Sequence, residues 1–219
     1  MNQSNLLIIN YKNYEEIAGE KGLELAKIAE KVAEELDKEI IIAPPQCSLA
    51  YIANNVKIKV FAQHLDNAMV GSTTGFIVPE IIKGCNIKGS LINHSEHRIS
   101  NNEIESLINR LKSLGMISVV CAQTPDEVKE LAVLEPDYIA IEPPELIGSG
   151  IAVSKAKPEV ITDSIRVAND VKVICGAGIV DGSDVESAIK LGSKGVLVAS
   201  GIVKADDWYE KVYELASNL

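Results

Sequence analysis

Three separated stretches of this chain carry residue types that can move protons and hold anions. Glu142-Pro-Pro-Glu-Leu-Ile-Gly-Ser-Gly150 follows the apolar run Tyr138-Ile-Ala-Ile141. That run reads as a buried strand, so a carboxylate stands at a strand's C-terminal end. Two prolines stiffen the exit, and Gly148 and Gly150 allow bends or close approach to a ligand. The arrangement reads as a base under a lid; the plainer alternative is a solvated acidic turn. Asn93-His-Ser-Glu-His-Arg98 follows a second apolar run, Gly89–Ile92. His94 sits at that strand's end and before a helix start, where the helix's partial positive charge disfavours protonation. A neutral imidazole there can donate a hydrogen bond to a substrate carbonyl. His94, Glu96 and His97 are also metal-ligand types, but no further cluster accompanies them in a chain with 3 histidines, and no metal is expected. Asn10-Tyr-Lys12 ends the run Leu6–Ile9. Its Lys12 is either a fixed ammonium for an anionic substrate or an ordinary surface lysine.

Two later segments suit an anion. Gly176-Ala-Gly178 and Ala199-Ser200 each follow an apolar run, and free backbone N–H groups there can cradle a phosphate. Gly176-x-Gly178 also matches part of a dinucleotide fingerprint. It comes late in the chain and has Asp181 where the third glycine belongs, so no nucleotide cofactor is expected.

Positioning these groups falls to about eight strand–helix units. Strands are expected at Leu6–Ile9, Ile40–Ile42, Lys57–Ala62, Gly89–Ile92, Met116–Cys121, Tyr138–Ile141, Val171–Cys175 and Val196–Val198. Between them, Leu25, Ile28, Ala29, Val32, Ala33 and Leu36 follow helical spacing. Ser100 with Glu103 and Thr124 with Glu127 read as capping boxes. Ser183 and Glu186 are expected to cap the helix that stops at Gly192, and a terminal helix should run to about Asn218. Continuous Ile/Val/Leu strands are what a parallel sheet covered on both faces requires. Polar residues collect after strand upon strand, which favours a closed (β/α)₈ barrel with one shared mouth over an open doubly wound sheet. A chain of 219 residues is short for that architecture, so some helices must be single turns. One barrel domain over residues 1–219 is expected.

Composition narrows the partners. A net charge of −10 argues against a nucleic-acid face. No apolar run approaches the ~20 residues of a membrane span, and no basic leader precedes Leu6. The 4 cysteines form no C-x-x-C pair, as expected of reduced thiols in a cytoplasmic protein.

Asn10-x-Lys12, Asn93-His-Ser-Glu-His-Arg98 and Glu142-Pro-Pro-Glu-Leu-Ile-Gly-Ser-Gly150, in that order and each at a strand end, resemble the triosephosphate isomerase family. The compact length, Pro143-Pro144 and Val153-Ser-Lys-Ala156 resemble its archaeal branch. The resemblance covers the whole chain and implies a TIM barrel that interconverts glyceraldehyde 3-phosphate and dihydroxyacetone phosphate without a cofactor. By position it implies Glu142 as base, His94 as electrophile, and Lys12 and Asn10 as substrate contacts. Ile147, Gly178, Ala199 and Ser200 would grip the phosphate, with Ser95 and Glu96 in support. It further implies a loop 63–75 that reaches a neighbouring subunit. Pro143-Pro144 at one end and Gly148 and Gly150 at the other suit a flap that closes through Ile147–Gly148, and the apolar surface that short helices expose calls for a homotetramer built from two dimers. An aldolase of the Schiff-base type would need a lysine inside the barrel, and strands four to six offer none. A silent binding barrel would more naturally have lost Lys12, His94 or Glu142.

Overall fold

The computed structural model describes residues 5–146 and 152–219. Eight parallel strands, β1 (Leu6–Asn10), β2 (Glu39–Ala43), β3 (Lys59–Ala62), β4 (Gly89–Ile92), β5 (Ile117–Ala122), β6 (Tyr138–Ile141), β7 (Lys172–Cys175) and β8 (Gly195–Val198), pair in sequence order. The sheet closes where β1 pairs with β8, Leu6 opposite Gly195. This is the (β/α)₈ barrel that the alternation of runs implied.

Strand alternation explains both the core and the mouth. Leu6, Ile8, Ile41, Phe61, Leu91, Val119, Ala140, Ile174 and Leu197 fill the barrel interior. Leu7, Ile9, Ile40, Ile42, Ile92 and Val120 face the helices instead. The same alternation carries Asn10 and Glu142 inward at the strand ends, above Ile8 and Ala140.

The outer layer comprises α1 (Glu20–Leu36), α2 (Leu49–Ala53), α3 (Pro79–Gly84), α4 (Asn101–Leu114), α5 (Pro125–Ala132), α6 (Val153–Ala156), α7 (Pro158–Val167), α8 (Gly182–Lys190), α9 (Ser200–Val203) and α10 (Trp208–Ser217). The shortness expected of some helices is found in α2, α3, α6 and α9. The expected single terminal helix is instead two, α9 and α10; Asp207 starts the second by accepting from the Glu210 N–H.

Two of three capping readings need correction. Ser100 and Glu103 form the full reciprocal box on α4. Thr124 accepts from the Glu127 N–H, but the Glu127 carboxylate turns to the Gln123 N–H (2.7 Å) and the Arg98 guanidinium rather than back to Thr124. The α8 box is Asp181 with Asp184, not Ser183 with Glu186: Asp181 is the last extended residue, and Gly182 is already helical. Ser100→Ala should cost about 1 kcal/mol of stability, the usual worth of such a cap. Urea unfolding would read it, and an unchanged midpoint would show the box to be dispensable.

Candidate active site

Asn10, Lys12, His94, Glu142, Gly178, Ala199 and Ser200 share one cavity of about 260 Å³ at the C-terminal mouth of the barrel. They arrive from the ends of β1, β4, β6, β7 and β8, and each is held in its own way.

The Lys12 backbone is left-handed, with φ 48°, a conformation that costs a non-glycine residue energy and persists only when its surroundings enforce it. The enforcement is visible. The Lys12 N–H donates to Asn10 Oδ1 at 3.0 Å. Gln63 Nε2 donates to both Lys12 O and Ala43 O at 2.9 Å. The ammonium meets Glu96 Oε1 at 2.6 Å, with the lysine side chain 14% exposed. Glu96 is thus the carboxylate paired with Lys12.

His94 is buried although strand alternation opposes it. Leu91 faces the interior and Ile92 the helices, so continued extension would turn residue 94 outward. Asn93 breaks the alternation with φ 63°. Its amide donates to Cys121 O (3.1 Å), and its Oδ1 accepts from the Ile99 N–H (3.2 Å). The helix expected directly after His94 begins only at Asn101, with a turn between. The local positive dipole is instead one amide: Glu96 N–H donates to His94 Nδ1 at 3.2 Å. Only an unprotonated Nδ1 can accept that bond, which leaves the ring proton on Nε2.

The electrostatics of this ring pull both ways. Burial, the largest influence, lowers the His94 pKa. The hydrogen bond and charge of Glu142 raise it, Lys12 lowers it, Glu96 raises it, and the sum lies above the ordinary imidazole value. The amide on Nδ1 nevertheless fixes which nitrogen is bare. The pull of Glu142 acts at the opposite, Nε2 end, where Glu142 Oε1 stands 3.6 Å away.

Glu142 is 3% exposed, and its Oε2 has no hydrogen-bond partner among the described residues. Gly176 makes its seat. A Cβ at position 176 would lie 2.4 Å from Glu142 Cγ. Gly176→Ala should therefore push the carboxylate aside and lower turnover by up to about 10²-fold, as a displacement of roughly 1 Å can. The fold should survive; a wild-type kcat in the folded variant would refute this. Burial, with Glu142 second, holds the neighbouring Cys121 thiol well above its usual pKa and so protonated.

Gly178 adopts φ 74° in the loop after β7, and its N–H has no acceptor among the described residues. The Ser200 and Gly201 amides open α9. Ser95 lies outside the cavity, and its buried Oγ has no partner among the described residues. Ile147, Gly148 and Gly150, the expected lid contacts, lie outside the described residues.

His94, Glu96 and His97 each also meet a different side chain. His94 turns to Glu142, Glu96 to Lys12, and His97 stacks on His64 with ring centroids 3.7 Å apart. A second cavity of about 670 Å³ opens beside the first, past Lys12 toward Gln46, Gln63, His64 and His97.

A sequence model of the family described as triosephosphate isomerase matches residues 5–216. The chain belongs to the triosephosphate isomerase family. It is 53% identical over 214 residues to the triosephosphate isomerase of Methanocaldococcus jannaschii, covering 96% of this chain and 98% of that one. The Cenarchaeum symbiosum triosephosphate isomerase is 49% identical over 219 residues, covering 99% and 98%. That of Archaeoglobus fulgidus is 47% identical over 223 residues, covering 100% of both.

Proposed function

We propose that this chain interconverts D-glyceraldehyde 3-phosphate and dihydroxyacetone phosphate through an enediolate, as a step of glycolysis and gluconeogenesis. The observation that carries the assignment of roles is the meeting of Glu142 with His94, 3.6 Å apart, in a cavity that also takes in Lys12 and the Gly178 loop. Glu142 removes the proton from the carbon beside the carbonyl. His94, neutral and protonated at Nε2, donates to the developing oxyanion, a Glu–neutral His pairing already established for this family. The Lys12 ammonium stabilises the same charge, and Glu142 returns the proton to the neighbouring carbon. Asn10 holds Lys12 and the substrate, and Gly178, Ala199 and Ser200 grip the phosphate. The chemistry calls for no cofactor, because a carbonyl acidifies its α-proton sufficiently once the oxyanion is stabilised. A coupled assay with glyceraldehyde 3-phosphate tests the reading, and absence of isomerisation would end it.

Residues 1–219 act as one barrel domain in this reading, located in the cytoplasm. Its support is 4 free cysteines and no helix, among the described residues, long and apolar enough to cross a membrane. For assembly, the loop 63–75 is the arm that reaches a second copy. Met69 and Val70 on it, and Phe76 just past it, are 73%, 56% and 55% exposed, and contiguous apolar groups in water favour an interface. The homotetramer, a pair of dimers, should appear in light scattering at working concentration. A monomer would contradict it.

A further inference from the structure

The phosphate loop is held in shape by a buried charge that lies outside the catalytic cavity. Asp184, on the first turn of α8, has a side chain 4% exposed. Its Oδ2 accepts from the Val180 N–H at 2.9 Å and the Asp181 N–H at 3.2 Å. Its Oδ1 lies 2.6 Å from Lys155 Nζ, within ion-pair distance but outside hydrogen-bond angles, so the contact is chiefly electrostatic. Lys155 reaches across from α6; it also donates to Ser183 Oγ at 3.0 Å and stands 3.8 Å from Asp181 Oδ1.

Two further bonds fasten the same two elements. The Val153 N–H donates to Ala177 O at 3.3 Å, and Ser154 Oγ donates to Asp184 O at 3.3 Å. The loop 176–180 is thus pinned at both flanks of Gly178 from one side: Ala177 by α6, and Val180 by the Asp184 carboxylate. What remains between the pins is Ile179 and the left-handed Gly178 with its uncommitted N–H. A carboxylate 4% exposed is costly unless paired, and Lys155 is the cation that pairs it. The Asp184 carboxylate leads the influences that raise the Lys155 pKa, so the ammonium stays charged at neutral pH.

We propose that Asp184 is a positioning residue that orients the backbone amides of loop 176–180 toward a phosphoryl group, and that Lys155 on α6 locks its carboxylate in place. The inference rests on the proposed reading of that loop as the phosphate grip. A negative charge beside a phosphate site would ordinarily repel its ligand. Here Lys155 neutralises it, and the carboxylate instead spends its lone pairs on two amides and thereby fixes the curve that exposes their neighbours.

The experiment compares wild type with Asp184→Asn, Lys155→Met and Lys155→Arg. It reads kcat and KM with glyceraldehyde 3-phosphate, the affinity for inorganic phosphate by titration calorimetry, and turnover of glyceraldehyde, which has no phosphate. Asp184→Asn should weaken phosphate binding and raise KM by about 10-fold or more, the scale of one hydrogen bond to a charged group. Its kcat should change much less, and turnover of glyceraldehyde should not change. Lys155→Met should shift the same quantities in the same direction, and Lys155→Arg should restore them, because a guanidinium also pairs with a carboxylate. Wild-type phosphate affinity in a folded Asp184→Asn or Lys155→Met protein would overturn the proposal. So would an equal loss with glyceraldehyde, which would mark a general structural role. If the wild-type chain failed to isomerise triose phosphates, the functional reading would fall, yet the phosphate titration would still decide this proposal. Lys155 is half exposed, so its variants keep the test open should Asp184→Asn not fold.

Discussion

Glu142→Gln should lower kcat by about 10²–10⁴-fold, the range for loss of a general base. The substitution preserves shape. Glutamine fits the seat that Gly176 leaves open, and Glu142 Oε2 has no partner among the described residues whose loss would disturb the fold. It also removes a charge from a residue 3% exposed, so thermal stability should hold or rise. KM should move little, because the phosphate grip and Lys12 are untouched. The combination of a collapsed kcat, a steady KM and an unchanged melting temperature separates a lost base from a damaged fold. Near-normal turnover would sink the assignment of Glu142.

Lys12→Met should cost about 3–4 kcal/mol of transition-state stabilisation, comparable to removing one preorganised donor from an oxyanion site. That is roughly 10²–10³-fold in kcat/KM. Methionine keeps much of the length of the stem. What disappears is the ammonium whose charge faces both the cavity and Glu96. The stability cost should be small, since the Glu96 side chain is 57% exposed and water can take over its solvation. Both kcat and KM should suffer, because the charge attracts the dianionic substrate and also stabilises the enediolate. A loss confined to KM would reassign Lys12 to binding alone.

Much of this architecture was legible in the sequence because burial on both faces leaves a mark. Ile40-Ile-Ile42 can only be a strand with hydrophobic neighbours above and below, and eight such runs in alternation with helices leave little choice of topology. The places of Asn10 and Glu142 follow from counting along β1 and β6. His94 did not follow from counting. Its inward turn depends on left-handed Asn93, a conformation bought by bonds to Cys121 O and Ile99 N that are remote in sequence or form only after the turn exists. A helix start was expected beside His94, whereas the group that faces Nδ1 is an amide of the intervening turn.

Other residues were invisible for related reasons. Gly176 reads as half of a glycine pair for binding anions; that it also seats Glu142 depends on a neighbour 34 positions away. Gln63 carries no chemical signal in the sequence, yet its amide spans two carbonyls, that of Lys12 after β1 and that of Ala43 at the end of β2. The capping signal at Asp181 and Asp184 was present but misplaced by two residues. Serine and aspartate are both good caps, and only the observed φ and ψ show which residue is still extended.

The seam where β1 pairs with β8 has a consequence for synthesis. These strands begin at Leu6 and Gly195, and a ribosome adding about 5–20 residues per second needs on the order of 10–40 s to pass from one to the other. Throughout that interval the nascent chain holds β1 with an unpaired edge, a template for pairing with the wrong strand. Asn10 and Lys12 emerge long before Ser200, and they share one cavity only after the seam closes. Catalytic competence is therefore a post-translational event, and polysomes carrying this message should hold no active enzyme among their unfinished chains.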